Sequence, residues 1–354
     1  MQKNNKKMQI QLPISILLLC LTIVGCGVIT WFSNVDYLFW LLLIPSVFLT
    51  VQLSSLFHEF GHYSSAVKNG FEVYYFKFSI FTMDKYGRRN FRVSLFGEHL
   101  GEIRFYPKRD NDYSNALKKT LLGGIWGSVI IAVILNSVLC LSLFGVFGKV
   151  VSPYLSLIFS FSPYALYALI VNVVAWFHPE NDASKITLIK KSKSQRLAID
   201  NLYAISKRLC EGKTYAEIPK GYFLIEEGVS DDIKLPLAVY ALRRAIESKD
   251  FQEIDGLVKV VESFDNLDAE TRCELLYIFA VRGETDKVNE YSKVLKFDLD
   301  ESEPFVLRAR LALIKFNKDE QFFNALKPTA LKVCNKKTFC KGDVVYNQKL
   351  IESL

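Results

Sequence analysis

Four stretches of the chain are long and apolar enough to dictate its architecture. They cover residues 12–32, 37–57, 120–147 and 153–177. A helix needs about 20 residues, each rising about 1.5 Å, to cross the hydrocarbon core of a bilayer, and each stretch reaches that length. The first follows Lys3, Lys6 and Lys7 and has no A-x-A cleavage site, so it reads as an uncleaved anchor rather than a signal peptide. Only Ser33-Asn34-Val35-Asp36 separates the first two stretches, and the connection between the last two is equally short. Both pairs are therefore expected to form antiparallel hairpins. The expected fold is a polytopic α-helical membrane protein with about four transmembrane helices.

Charge sets the expected orientation. The 354 residues carry a net charge of +7, unevenly spread. Residues 1–194 hold 19 basic and 10 acidic groups, and the remainder holds 25 and 27. Basic charge beside apolar runs points to a lipid bilayer. No stripe of Lys and Arg interleaved with aromatics is present, which argues against nucleic acid as a partner. Residues 67–119 carry eleven Lys or Arg, and Lys185, Lys190, Lys191, Lys193 and Arg196 follow the fourth stretch, whereas the two short connections hold only Lys149. The positive-inside rule then gives a multi-pass protein of the cell membrane with both termini and the 67–119 loop in the cytoplasm. The seven cysteines have no CxxC spacing and read as free, reduced thiols.

Two further regions are not membrane-like. Residues 71–78 and 91–95 are β-rich, Tyr86-Gly87-Arg88 offers a turn, and a further strand covers 102–106, so a small β insertion is expected at about 70–107. From about residue 195 the pattern is helical and soluble. Lys249-Asp250, Gly283-Glu284 and Asn317-Lys318 are turn positions 34 residues apart, each flanked by apolar helical runs. Under that shift Ala245, Phe279 and Leu313 coincide, as do Ile254, Val288 and Phe322. A helix–turn–helix period of 34 resembles tetratricopeptide repeats. The expected domains are an N-terminal tail and anchor at 1–34, a membrane core at 35–192, and a cytoplasmic tetratricopeptide-like helical domain at 195–354.

The motif that carries chemistry is His58-Glu59-Phe60-Gly61-His62. Residues i and i+4 of a helix share a face, so both imidazoles reach one metal ion, and Glu59 falls beside a water on that ion. Two histidines and a glutamate at the end of an apolar span are costly unless paired or metal-bound. A third ligand is needed. The candidates are a carboxylate or one of the remaining histidines, His99 and His178. The fourth span returns to the face where the second delivers the motif, which brings both Asp182 and His178 near it.

These residues resemble the site-2 protease family of intramembrane zinc metalloproteases. The likeness rests on His58-Glu59-Phe60-Gly61-His62, on Gly123-Gly124-x-x-Gly127 early in the next span, and on Asn172…Asn181-Asp182 after the last. It covers roughly residues 36–190, and departs from the family in having Ala183 where glycine is usual after the aspartate. The resemblance implies one Zn2+ ion held by His58, His62 and Asp182. It implies hydrolysis of a peptide bond in a membrane-associated or membrane-spanning substrate, with Glu59 as general base. It also implies that Asn172 assists catalysis by holding the substrate or the oxyanion; an interhelical hydrogen bond is the other role open to Asn172. Gly123 and Gly127 are expected to allow close helix packing, and Gln52, Ser54 and Ser55 to line a water path or cap backbone groups. The helical tail would bind a protein partner or present substrate. The alternative is a catalytically inactive, membrane-anchored scaffold of the same fold that binds partners through its repeats.

Overall fold

The computed structural model describes residues 24, 36–78, 81–86, 91–93, 101–177, 181–296, 303–334 and 340–354. The chain is mostly helical and divides into two compact units, Met1–Lys191 and Ser192–Leu354.

The first unit is organised by two long helices, α1 (Asp36–Lys68) and α2 (Tyr113–Leu143). They approach until backbones touch. A Cβ on Gly61 would lie 2.2 Å from the Gly123 carbonyl oxygen, and one on Gly127 would lie 2.1 Å from that of Phe57. Only hydrogen fits at these positions, so the glycines act as packing residues, as expected. α1 ends at Lys68. Gly70, with φ +85°, reverses the chain in a conformation that residues with a Cβ rarely adopt. Asp112 starts α2 by accepting a hydrogen bond from the Asn115 amide at 2.9 Å.

Between these helices lies an antiparallel sheet of four strands: β1 (Phe71–Phe78), β2 (Phe81–Asp84), β3 (Phe91–Val93) and β4 (Gly101–Pro107), in the order β3-β2-β1-β4. The sequence located β1, β3 and β4 but not β2. The 86–88 turn lies partly outside the described residues. β1 is the central strand, paired with β2 through Tyr75–Asp84 to Phe78–Phe81 and with β4 through Phe71–Pro107 to Phe78–Gly101.

The count of four spans is not upheld. Among the described residues two helical segments are long and apolar enough to cross a membrane: Tyr113–Leu143, of mean hydropathy 2.2, and Val151–Val173, of mean hydropathy 1.6. Of the first expected span only Val24 is described. The second lies within α1, whose side chains are described only from Pro45 onward. The fourth is not one continuous helix to residue 177. It comprises α3 (Val151–Ile158) and α4 (Pro163–Val173). Pro163 lacks an amide hydrogen to continue the ladder, and the amide of Phe161, in the break, donates to the Ser46 hydroxyl at 3.1 Å. A side chain thus satisfies a backbone group that the break frees. α5 (Asp182–Lys190) follows and packs on α2 and α4.

The second unit starts with α6 (Lys193–Cys210) and continues as three helix pairs: α7 (Asp231–Glu247) with α8 (Phe251–Glu262), α9 (Ala269–Arg282) with α10 (Thr285–Tyr291), and α11 (Pro304–Phe316) with α12 (Glu320–Cys334); α13 (Lys341–Ser353) ends it. Each pair turns in the same way. Lys249, Gly283 and Lys318 are left-handed, at φ 55°, 77° and 59°. The next amide bonds back five residues: Asp250 to Ala245 at 3.0 Å, Glu284 to Phe279 at 3.0 Å, Asp319 to Ile314 at 3.2 Å. That is a Schellman closure repeated three times. The third copy is one residue later than a strict 34-residue period. Ile314, not Leu313, is the equivalent of Phe279.

Candidate metal centre

The centre is built from α1 outward. His58 and His62 lie one turn apart and their Nε2 atoms converge to 3.2 Å. α2 fixes both rings from behind. His62 Nδ1 donates to the Thr120 carbonyl oxygen at 2.9 Å, and His58 Nδ1 lies 3.1 Å from that of Gly124 and 2.9 Å from the Ser128 hydroxyl. A carbonyl oxygen only accepts, so each Nδ1 carries the proton and each neutral Nε2 presents a lone pair. Such backing by a carbonyl is the usual support of a metal-ligating histidine. Gly124 gives the ring its space, since a Cβ there would lie 2.2 Å from His62 Nε2.

The third arm comes from the turn between α4 and α5. Asn181 donates to the carbonyl oxygens of Val171 at 2.6 Å and Val174 at 2.9 Å, while its own Oδ1 accepts from the Ser184 amide at 2.8 Å. It therefore closes the end of α4 and caps the start of α5. This places Asp182, the first residue of α5, with Oδ2 at 3.2 Å from His62 Nε2 and 3.6 Å from His58 Nε2. Oδ2 is buried and accepts no hydrogen bond from either ring among the described residues.

Three acceptor atoms thus meet with edges of 3.2, 3.2 and 3.6 Å. Such a group repels itself unless a cation lies within it. A single proton between His62 and Asp182 leaves the His58 lone pair facing them, whereas a metal ion engages all three. Tetrahedral bonds of about 2.0–2.1 Å set ligand atoms about 3.3 Å apart, close to the edges seen here. His58, His62 and Asp182 can hold a metal ion. His178 and His99, the other histidines weighed as ligands, lie outside the described residues.

Glu59 is buried beside the histidines, 6% exposed. Its carboxylate lies against Gly101, the first residue of β4, where a Cβ would come within 2.2 Å of Oε1. Along α1, the buried Ser46, Thr50, Ser54 and His62 and the half-buried His58 recur every fourth position, and the hydroxyls of Thr50 and Ser54 have no protein partner among the described residues. The half-buried Asn172 lies in α4, with no side-chain hydrogen bond among the described residues. The asparagine that organises the centre is Asn181, to which the sequence reading gave no task; an Asn directly before a helix-starting Asp is the cap signal that points to it.

No protein-family model, no curated protein and no solved structure matches this chain. What fold and site define is a class: a mostly helical protein with apolar helices of membrane-crossing length and a buried His-His-Asp group suited to a metal ion.

Proposed function

We propose that the chain is a zinc-dependent membrane endopeptidase. It hydrolyses peptide bonds of a membrane-embedded or membrane-associated substrate, as its likeness to the site-2 protease family implies. The observation that carries this reading is the convergence of three lone-pair donors, two of them buried and one half-buried, on one point, with a buried carboxylate on the adjacent helix position. His58, His62 and Asp182 would hold the ion, and an N2O donor set is one that zinc accepts. When bound, zinc supplies Lewis acidity, lowering the pKa of water to about 7 and polarising a carbonyl. Glu59 takes the proton from the attacking water and returns it to the leaving amine. Asn172 is placed by the same likeness as a substrate or oxyanion contact.

The setting supports a membrane. Only 39% of the most apolar window of α2 and 33% of that across α3 and α4 is buried within the protein. Trp126, Ile130 and Val133 are more than half or half exposed along α2. An apolar helix in the core of a soluble protein would hide these side chains. On the charge rule, both termini and the sheet face the cytoplasm in this reading.

An exposed strand edge beside the site would hold the substrate extended and satisfy its freed backbone groups. β1 cannot serve, because both of its sides are paired. β4 is an end strand that starts against Glu59, so it takes that role in the proposal. The helical tail would receive a protein partner or present substrate.

The test is a paired measurement on the purified full-length protein. Wild type is expected to contain one zinc per chain and to cut a natural substrate. Glu59→Gln is expected to keep the zinc and to lose cleavage by a factor of about 10²–10⁴, the range general-base catalysis contributes. Cleavage that survives Glu59→Gln, or a wild-type chain that binds no zinc, would sink the proposal.

A further inference from the structure

The end of α6 and the start of α13 meet in the second unit. A Cβ on Gly342 would lie 1.9 Å from the Lys213 carbonyl oxygen and 3.1 Å from Leu209 Cα, so the two backbones are in direct contact. Gly212, at φ +97°, makes the turn beside the Lys341 side chain. Cys210 is the last residue of α6 and Cys340 the N-cap of α13. The contact brings the two side chains together, and their thiols are hydrogen-bonded to each other. Both are half-buried thiols, whereas Cys273 and Cys334 are fully enclosed.

We propose that Cys210 and Cys340 are a dithiol pair that a peroxide oxidises reversibly to a disulfide, stapling the first helix of the tail to its last. The closed loop encloses all three helix pairs, and a long loop is the kind whose closure most restricts the unfolded chain. Nothing in the chain order announces the pair, because 130 positions separate the two cysteines and no spacing motif marks them.

The chemistry balances in two steps. The Cys210 sulfur attacks one oxygen of the peroxide; the S–O bond forms, the O–O bond breaks, and the other oxygen leaves as water with the thiol proton. The Cys340 sulfur then attacks the Cys210 sulfenic acid; the S–S bond forms, the S–O bond breaks, and a second water leaves. Two thiols lose two electrons and two protons, and one hydrogen peroxide becomes two waters.

The test treats the full-length protein with hydrogen peroxide, blocks remaining thiols, and maps the peptides by mass. The expected result is a linked peptide joining Cys210 to Cys340, a loss of two free thiols, and their recovery with dithiothreitol. The oxidised tail should unfold at higher urea than the reduced one. In Cys340→Ser that shift should vanish and a sulfenic acid at Cys210 should be trapped by dimedone. Oxidation without the Cys210–Cys340 link in wild type would overturn the proposal. So would an unchanged urea shift in Cys340→Ser.

Discussion

Both units bury charge, but they treat it in opposite ways. In the second unit Glu274 is fully enclosed and its two oxygens are spoken for. Oε2 meets Arg243 Nε at 2.9 Å and Arg308 at 2.8 Å, and Oε1 accepts from the Tyr346 hydroxyl at 2.7 Å. Arg243 also reaches Glu270 and the Tyr215 hydroxyl, and the Arg308 guanidinium lies over the rings of Tyr277 and Tyr346. Positive and negative groups are both present, so the cluster carries its own counter-charge. In the first unit only acceptors converge: two imidazole lone pairs and a carboxylate. A buried cluster that contains its own counter-charge holds a fold together, whereas one that lacks it is a place for something else. Burial alone does not separate structure from site; the sign balance does.

Breaking the closed cluster is expected to give the largest stability effect. Glu274→Ala leaves Arg308 buried with no ionic partner and strips Arg243 of one of its own. Such a loss typically costs about 3–5 kcal/mol. Hydrogen exchange should show protection falling in α9 and α11, with zinc content unchanged. If zinc were lost as well, the two clusters would not be separable as described.

The open cluster should respond in its metal, not its fold. Asp182→Ala is expected to weaken zinc binding by more than the about 10–100-fold that loss of a mere outer-shell partner costs, and isothermal titration would measure it. The closed cluster of the second unit is untouched by this change, so hydrogen-exchange protection in α9 and α11 should hold. Unchanged zinc affinity in Asp182→Ala together with loss in His178→Ala would move the third ligand to His178.

Acid sharpens the contrast inside the closed cluster. Burial pushes Glu274 up, but Arg308, Arg243 and the Tyr346 hydroxyl together hold it below its ordinary value of 4.5. Its stabilising contribution is therefore present above about pH 4.5 and is lost as pH falls through the lowered value. Asp343 behaves in reverse. Burial raises its carboxyl despite Arg243, so its ionisation opposes folding at neutral pH. Asp343→Asn is expected to stabilise the tail at pH 7 by less than about 1 kcal/mol, since the side chain is 30% exposed. Urea midpoints across pH 3–7 would check both signs.

The two regions also differ in how far the sequence disclosed them. The motif at His58–Glu59–His62 was legible because metal ligation demands fixed residue types at fixed spacing, and Gly123 and Gly127 were legible because close packing admits few residues. Asp182 was reached through topology and resemblance. Strand order was not legible: β1 is apolar and alternating whether it lies at an edge or in the middle, so its central place, and β2 beside it, emerged only from pairing. The break between α3 and α4 was hidden because its satisfying group, Ser46, sits over a hundred residues away. In the tail, Arg243, Glu274 and Arg308 drew no notice, since nothing local distinguishes a charge that will be buried with its partner. The slip in the third helix pair was masked by Leu313 and Ile314, either of which fills an apolar position.

That repeated turn offers the mildest test of the comparison. Three helix pairs close through a left-handed residue, but only the second uses glycine; Lys249 and Lys318 hold the same conformation with a side chain. A Cβ in the left-handed region costs roughly 1 kcal/mol, while glycine loses some of that advantage to its greater freedom in the unfolded chain. Lys249→Gly is therefore expected to stabilise the tail by a few tenths to about 1 kcal/mol, read as a rise in the urea midpoint. Gly283→Ala should lower it by a similar amount, and space is not the reason, since nothing lies within 4 Å of the added Cβ. Both changes act on backbone alone and touch neither cluster. Zinc affinity and the acid limb should stay as in wild type. A midpoint that falls in Lys249→Gly would mean that the lysine side chain contributes more than its conformation costs, and the three turns would then not be equivalent copies of one closure.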